Sequence, residues 1–210
     1  TLNLNAGTLS ANALGLTGAG SLVQNGGHFS VSGLNLSTGA TANLSSGDTV
    51  SYSAYLYAGS TLTLGRSMAL SNALGISDTG SSVVASGHDI TVGYLGLSNG
   101  GALVRTSSGS VTAGELDVLG ASSFDIRSGD SVGQANVVGG GTASNSGATS
   151  MSWLGVNGWN GVDSVSTHYT ANAALSLTYG NGDSLALANG DRKSTRLNSS
   201  HSSVSRMPSS

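Results

Sequence analysis

Glu115 and Asp117 stand two positions apart in the segment GELDV, and their types and spacing are those of a catalytic acid pair. Residues two apart in an extended segment point to the same side, and glycoside hydrolysis requires two carboxyl groups flanking one bond. However, residues 1–190 contain only three arginines, no lysine and no dense group of aspartates. We therefore predict that the protein is not an enzyme, with catalysis by Glu115 and Asp117 as the alternative.

A second set of polar residues directly follows glycines that recur about every twenty positions. If successive repeats stack, His28 and Asp48 would lie about 4.8 Å apart, the spacing of neighbouring strands, and their side chains are of the types that bind divalent metals. His88 and Asp130 would continue this column, but Met68 interrupts it. We favour corner capping by these polar side chains and predict no metal or other cofactor. His28 and Asp48 are the candidate ligands if a metal does bind.

The element that must position these residues is a repeat of about twenty residues. Residues 61–80, TLTLGRSMALSNALGISDTG, contain three short apolar alternations separated by Gly, Ser and Asn. A period of two indicates strands, and small polar residues indicate the corners between them. A glycine and an apolar pair both recur at intervals near twenty. The glycines are Gly7, Gly27, Gly47, Gly87, Gly109 and Gly129, and the pairs are Leu14/Leu16, Leu34/Leu36, Leu74/Ile76, Leu95/Leu97 and Leu116/Val118.

Two series that keep step predict an all-β fold, a parallel β-helix (β-solenoid) with about twenty residues per rung. One rung buries too little apolar surface to fold alone, so rungs must stack and place leucine on leucine. We predict about seven rungs in residues 1–141. A β-sandwich is the rival fold, but its strands would have to be longer. An outward column of hydroxyls is predicted at Thr1, Ser21, Thr41, Thr61 and Ser81.

The repeat loses its register in residues 142–190. Residues 142–150 are rich in Ser and Gly and predict a loop, and two alternating runs joined by GNGD predict a hairpin. We favour a role for the two tryptophans in covering the apolar end of the solenoid, with an aromatic surface for stacking glycans as the alternative. The region would then be a cap or a set of further rungs. The runs are Ala174–Tyr179 and Ser184–Leu187, and the tryptophans are Trp153 and Trp159.

Residues 191–210 differ from the rest of the chain in composition. They hold four of the seven basic residues and the chain's only Lys and Pro. The segments DRKSTRLNSSH and SRMPSS resemble the translation of a sequencing-library adapter, so we interpret this tail as an artefact and predict that it is not part of the fold. The other 190 residues hold nine acidic and three basic residues, a formal net charge of −6, which gives nucleic acid no electrostatic basis for binding.

Composition narrows the class of protein further. Only 8% of the residues are charged, against about 25% in an average chain. No cysteine is present, so neither disulfides nor thiolate metal sites can form. No apolar run approaches the ~18 residues of a membrane helix, and we predict no membrane insertion within this chain. Because it starts in mid-pattern and without Met, we interpret it as a fragment of a longer protein.

Rungs of about twenty residues that are rich in Gly, Ser, Asn and Thr, with L-x-L pairs and no Cys, resemble the passenger regions of bacterial autotransporter and filamentous-haemagglutinin-type adhesins. The resemblance covers residues 1–141 well and 142–190 loosely. It implies a right-handed β-helix that is secreted or displayed at the outer membrane of a Gram-negative bacterium. We accordingly predict an adhesin or structural stalk that contacts glycans, host matrix or neighbouring cells. The alternative is a polysaccharide lyase or glycoside hydrolase on a similar solenoid, as in pectate lyases and polygalacturonases.

Overall fold

A computed structural model describes residues 1–106, 108–157, 167–178, 184–187 and 191–194. Over these ranges all regular elements are β-strands, which confirms the predicted all-β class, and no helix long and apolar enough to cross a membrane occurs in them. The strands in chain order are β1 Leu2–Leu4, β2 Thr8–Leu16, β3 Leu22–Gln24, β4 His28–Leu36, β5 Thr41–Leu44, β6 Thr49–Leu56, β7 Thr61–Leu64, β8 Met68–Ser77, β9 Ser82–Val84, β10 Ile90–Ser98, β11 Ala102–Val104, β12 Val111–Leu119, β13 Ser123–Ile126, β14 Ser131–Val138, β15 Thr142–Asn145, β16 Thr149–Met151, β17 Trp153–Asn157, β18 His168–Ala171, β19 Leu175–Thr178, β20 Ser184–Leu187 and β21 Asp191–Ser194.

The strands stack in parallel, about twenty residues apart, as a β-solenoid of about eight rungs. Eight strands form one continuous sheet, the long sheet, in the order β2-β4-β6-β8-β10-β12-β14-β17. The shorter strands form the other side of the solenoid in separate sheets, chiefly β5-β7-β9-β11 and β13-β15-β18-β21. The predicted repeat is confirmed, since each rung places one strand in the long sheet directly over the strand of the rung before.

The predicted apolar pairs form two buried columns inside the long sheet. Leu34 pairs with Leu14, and Leu74, Leu95 and Leu116 follow one above another in later rungs. Because alternate side chains of a strand point to opposite faces, the residues between these columns face solvent. All members of both columns named here are buried, and the second column contains Leu16, Leu36, Leu56, Ile76, Leu97 and Val118.

A change of phase bends the long strands around the core. In β10 the buried Val92 is followed three residues later by the buried Leu95, and β8 has one residue more than β10 between the pairs Leu70–Val92 and Ala73–Tyr94. An extra residue of this kind bends a strand and re-aims its side chains. The three apolar alternations predicted for residues 61–80 therefore lie on two strands, β7 and β8, with the second and third on the two halves of β8.

Buried hydroxyl groups close the corners that follow the long strands. Ser81 Oγ accepts a hydrogen bond from the backbone N–H of Gly59 at 3.0 Å, and Ser122 Oγ accepts one from Gly100 at 3.1 Å. Both serines are buried. The residue that faces outward beside Thr61 is consequently Ser82 and not Ser81, so the predicted hydroxyl column is wrong at its last position.

Residues 142–157 form a further rung. β15 pairs with β13 and β17 pairs with β14, both in parallel. The prediction of a loop over residues 142–150 is largely wrong, since β15 and the start of β16 occupy much of that segment. β19 and β20 pair antiparallel, which confirms the predicted hairpin; residues 179–183, which join the two strands, lie outside the described residues.

The first residues of the tail lie on the sheet. Strand β21, Asp191–Ser194, pairs antiparallel with β18, although residues 191–210 were predicted to be no part of the fold. The adapter origin of the tail stays a prediction, and residues 195–210 lie outside the described residues.

Candidate functional site

The outer face of the long sheet brings aromatic and acidic side chains together in its later rungs. Two outward columns run side by side there, separated by the buried leucine column between them. In rung order, one contains Tyr94, Glu115, Gln134 and Trp153, and the other contains Gly96, Asp117, Asn136 and Gly155.

Hydrogen bonds from two neighbouring rungs fix the predicted acid pair. Tyr94 Oη donates to Asp117 Oδ2 at 3.0 Å, and Asn136 Nδ2 donates to Asp117 Oδ1 at 3.0 Å and to Glu115 Oε1 at 3.3 Å. Both carboxylates point outward from β12 and are partly exposed. Glu115 and Asp117 therefore act as oriented hydrogen-bond acceptors on the surface, and Asp117 already accepts on both of its oxygens.

The environment of Tyr94 keeps its hydroxyl group protonated. Partial burial is the main cause that raises the pKa of Tyr94 well above its ordinary value, and the nearby negative charge of Asp117, with its hydrogen bond, adds to the shift. A phenol that stays protonated remains a hydrogen-bond donor. The contact from Tyr94 to Asp117 is thus maintained throughout the neutral and mildly alkaline range.

A groove of about 310 Å³ lies next to this cluster. Tyr55 and Tyr57 form one wall, with ring centroids 6.3 Å apart and planes 14° from parallel, and Tyr94 lines the groove further along the sheet. We call this feature the aromatic groove. Its lining residues are Tyr55, Tyr57, Gly75, Ile76, Ser77, Tyr94, Gly96, Ser98 and Leu119.

Glycines allow the tyrosine rings to lie against the sheet. A Cβ atom on Gly96 would be 2.8 Å from Cε1 of Tyr94, and one on Gly75 would be 2.7 Å from Cδ1 of Tyr55. Real side chains do not approach so closely, so any other residue at these positions would displace the rings. The glycines of the outward columns therefore have a packing role, since they make room for aromatic side chains.

Sequence reasoning missed the aromatic groove, although one signal for it exists. The segment ALG occurs at residues 13–15 and 73–75, whereas residues 94–96 read YLG and residues 153–155 read WLG. The aromatic residue thus replaces alanine at an outward position beside a glycine. The partners Tyr55, Tyr57 and Asn136 have no such signal, because they come from other rungs.

Trp153 lies on the outer face of the last parallel rung of the long sheet. It is in register with Gln134, 40% of its surface is exposed, and its ring packs against Gly155 of the same strand. It does not lie over the end of the core, the position that the capping interpretation predicts for it. Trp153 instead extends the outward column that begins with Tyr94. Trp159 lies outside the described residues.

The candidate metal ligand Asp48 is used as a corner cap. Its buried carboxylate accepts hydrogen bonds from the backbone N–H groups of Phe29 at 3.0 Å and Ser45 at 2.6 Å, and from the side-chain amide of Gln24 at 2.6 Å. His28 Nδ1 lies 3.6 Å from Asp48 Oδ1. Three N–H donors around one carboxylate are the arrangement that the capping interpretation requires.

The predicted column of corner residues is not kept, because the rungs differ in length. Ser30 pairs with Thr49, nineteen residues on, whereas Met68 pairs with Ile90, twenty-two residues on. In the part of the chain that the structure describes, no group of three or more His, Asp or Glu side chains is placed to hold a metal ion. These shifts separate His28, Asp48 and His88 from a common column.

Asp130 has the same capping role four rungs later, but its partner is charged. Arg105 Nη1 donates to both carboxylate oxygens, at 2.8 and 2.7 Å, and the Arg105 guanidinium lies 4.7 Å from the ring centre of Phe124. Asp130 also accepts the backbone N–H groups of Val111 and Arg127. Both side chains of this ion pair are nearly inaccessible to solvent, at 4% and 1%.

Comparison of the chain with family models, with curated proteins and with solved structures finds no match. A proposal on function therefore rests on the geometry of the outer face.

Proposed function

We propose that this chain is a non-catalytic attachment module: part of a surface-exposed or secreted adhesin or stalk of a Gram-negative bacterium that contacts glycans, host matrix or neighbouring cells. The observation that carries the proposal is the aromatic groove, whose tyrosine rings lie next to the fixed carboxylate and amide groups of Asp117 and Asn136. Binding sites typically combine an apolar lining with a few well-placed polar groups. The parallel stack of rungs supplies a rigid support for that surface.

Several features support attachment over catalysis. A glycosidase needs one carboxyl group that releases a proton and a second that attacks the sugar or activates water. Here a single amide, Asn136 Nδ2, contacts both Glu115 and Asp117, and Tyr94 occupies the remaining oxygen of Asp117. These contacts suit acceptors of fixed orientation, which is what recognition of hydroxyl groups requires.

The competing function is a polysaccharide-acting enzyme with Glu115 and Asp117 at its active site. The favouring observation is that both carboxylates point to one side of β12, next to a groove of sufficient size for a sugar ring. Release of reducing sugar from neutral and acidic polysaccharides, abolished by Glu115→Gln, would establish this function. We expect no release from either class of polysaccharide.

Attachment itself can be measured with beads coated with the whole chain. We expect the beads to bind at least one of three surfaces: polysaccharide films, matrix proteins or epithelial cells. Tyr57→Ala should reduce this binding, because Tyr57 is 41% exposed on the wall of the groove. Tyr52→Ala is the matched control, since Tyr52 is 54% exposed on β6, the strand that Tyr57 directly follows, but does not line the groove. Failure of the beads to bind any surface would contradict the proposal.

A further inference from the structure

Resting on that proposed function, we propose that the aromatic groove binds an uncharged glycan chain that runs along the solenoid axis, across the strands. The ligand class is a neutral hexose polymer, as distinct from a uronate-containing, sialylated or sulfated one.

The path of the groove follows the axis because its residues come from successive rungs. Tyr55, Gly75, Gly96 and Asp117 occupy consecutive positions of one outward column. Neighbouring strands are about 4.8 Å apart, a distance close to the length of one hexose unit in an extended polysaccharide. A linear glycan laid along this column would meet one rung per sugar and would pass over the rings of Tyr55 and Tyr94, which lie against Gly75 and Gly96.

The walls supply the two kinds of contact that a sugar ring makes. The apolar C–H face of a hexose packs on an aromatic ring, and Tyr55, Tyr57 and Tyr94 provide such rings along the groove. Sugar hydroxyl groups need hydrogen-bond partners of fixed direction. Asp117 and Asn136 are held in place at the end of the groove by their mutual hydrogen bond of 3.0 Å.

The charges around the groove disfavour an acidic ligand. Asp117 and Glu115 lie at one end, and Asp78 lies at the other, close enough to Tyr57 that its negative charge helps to raise the pKa of that phenol, after burial and Tyr55. Carboxylates accept hydrogen bonds from hydroxyl groups but repel the carboxylate or sulfate groups of an acidic glycan.

The arginines of residues 1–157 do not offset this negative charge. Each is bound elsewhere on the solenoid: Arg66 donates to the backbone carbonyl of Asp48, Arg105 to Asp130, and Arg127 to the carbonyl of Thr106. None of the three lines the aromatic groove. A neutral glycan is therefore the class that can bind in this groove without bringing a negative charge close to the carboxylates.

The test measures binding of linear hexasaccharides to the whole chain by isothermal titration calorimetry. The set contains neutral glucans and mannans with α and β linkages, each matched where chemistry allows with a uronate of the same length and linkage. We expect at least one neutral member to bind, and its uronate counterpart to bind about tenfold more weakly or not at all. Added salt should lessen this difference, since it screens the carboxylates.

Variants locate the ligand. Tyr57→Ala should weaken binding of the neutral glycan about tenfold by removing a stacking surface, and Tyr94→Phe should weaken it by a similar factor by releasing Asp117. Tyr52→Ala should leave binding unchanged. Circular dichroism of each variant checks that the solenoid is intact.

The outcomes separate this inference from the proposed function. Tighter binding of uronates than of neutral chains overturns the inference and leaves an attachment module with another ligand. Equal losses in Tyr52→Ala and Tyr57→Ala overturn it by placing the sugar outside the groove. If no glycan binds while coated beads still attach to matrix proteins or cells, the inference alone fails; if the beads attach to nothing, both fail.

Discussion

The two sides of the solenoid differ in continuity. The long sheet runs through eight strands without interruption. Among the described residues of the short-strand side, only the single bridge Ser21–Thr41 joins the rungs of β3 and β5, and no pairing joins β11 to β13. A long strand such as β10 buries four apolar side chains, so packing of these side chains holds successive long strands together. Strands of three or four residues bury less apolar surface. Where the pairing between successive short strands stops, polar side chains connect the rungs instead.

Both interruptions contain the same arrangement of a side-chain donor and a buried aspartate. Gln24, the last residue of β3, and Arg105, the residue after β11, each donate to a buried aspartate of the next rung. Each aspartate, Asp48 or Asp130, also accepts the N–H three residues before it and one N–H of the preceding rung. The difference is that an amide serves at the first interruption and a guanidinium at the second. The same corner thus works with a neutral or a charged donor.

The largest loss of stability is expected from a substitution in the uninterrupted long sheet. Leu95→Asp places a carboxylate in a fully buried column of the long sheet, and a charge buried without a partner destabilises a domain by more than about 5 kcal/mol. We predict loss of the β-type circular dichroism signal and of protease resistance. Thr91→Asp, on the exposed face of the same strand, should retain both. A folded, protease-resistant Leu95→Asp protein would contradict the stacked core.

The second largest loss of stability is expected at the interruption between β11 and β13, where the donor is the charged Arg105. Arg105→Ala leaves the carboxylate of Asp130 buried without its cation, which costs about 3–5 kcal/mol. Arg105→Gln converts this interruption to the type found at Gln24, and an amide donor should limit the loss to about 1–2 kcal/mol. Urea unfolding of both variants measures the difference. Equal losses would show that an amide donor cannot replace the guanidinium, so that hydrogen bonding alone does not hold this corner.

A smaller loss of stability is expected at the interruption between β3 and β5, where the donor is the neutral Gln24. Asp48→Ala removes the acceptor of two buried backbone N–H groups, those of Phe29 and Ser45, and should cost about 3 kcal/mol. Gln24→Ala removes one donor while both backbone donors remain paired, and should cost about 1 kcal/mol. The ratio of the two losses in urea unfolding tests whether the aspartate or its side-chain partner holds the corner.

The apolar columns were predictable from sequence because their residues recur on every rung. A pair such as Leu95/Leu97 needs only its period of two to be assigned to the interior, and small differences in rung length do not change that assignment. The positions of corner residues, in contrast, depend on the exact length of each rung. A rung of nineteen or twenty-two residues moves a side chain by one or two positions, which is why the predicted column of His28, Asp48 and His88 does not form.

The candidate site was predictable only in part for the same reason. Glu115 and Asp117 were identified because they share one strand, and their common face follows from local geometry. Tyr94 and Asn136 reach them from the rungs before and after, at separations of 19 to 23 residues. Finding such partners needs the register of each rung to within one residue. The pairing of Arg105 with Asp130 is harder still, since it crosses a gap between two sheets.

The smallest effect is expected at a corner where the ladder is intact. Asp89 is exposed and lies in the corner between β9 and β10, and β9 pairs with β11 of the next rung. Its Oδ1 accepts the backbone N–H of Ser110 at 2.8 Å and the Ser110 hydroxyl at 2.9 Å. These hydrogen bonds lower the pKa of Asp89 below its ordinary value, and the one from the backbone N–H is the larger cause. The stabilisation is therefore present above the pKa of an unfolded aspartate, about 3.9, and is lost as pH falls through the lower pKa of the folded state.

An NMR titration of the Asp89 carboxyl group measures this shift directly. We expect a midpoint below that of the urea-unfolded chain, and a partial return towards it in Ser110→Ala, which removes the hydroxyl donor and keeps the backbone N–H. Asp89→Asn should flatten the acid limb of the stability curve only slightly, because water can replace a donor at an exposed carboxylate. A midpoint equal to the unfolded value would mean that Asp89 caps nothing, and that aspartate caps matter in this solenoid only where the ladder is broken.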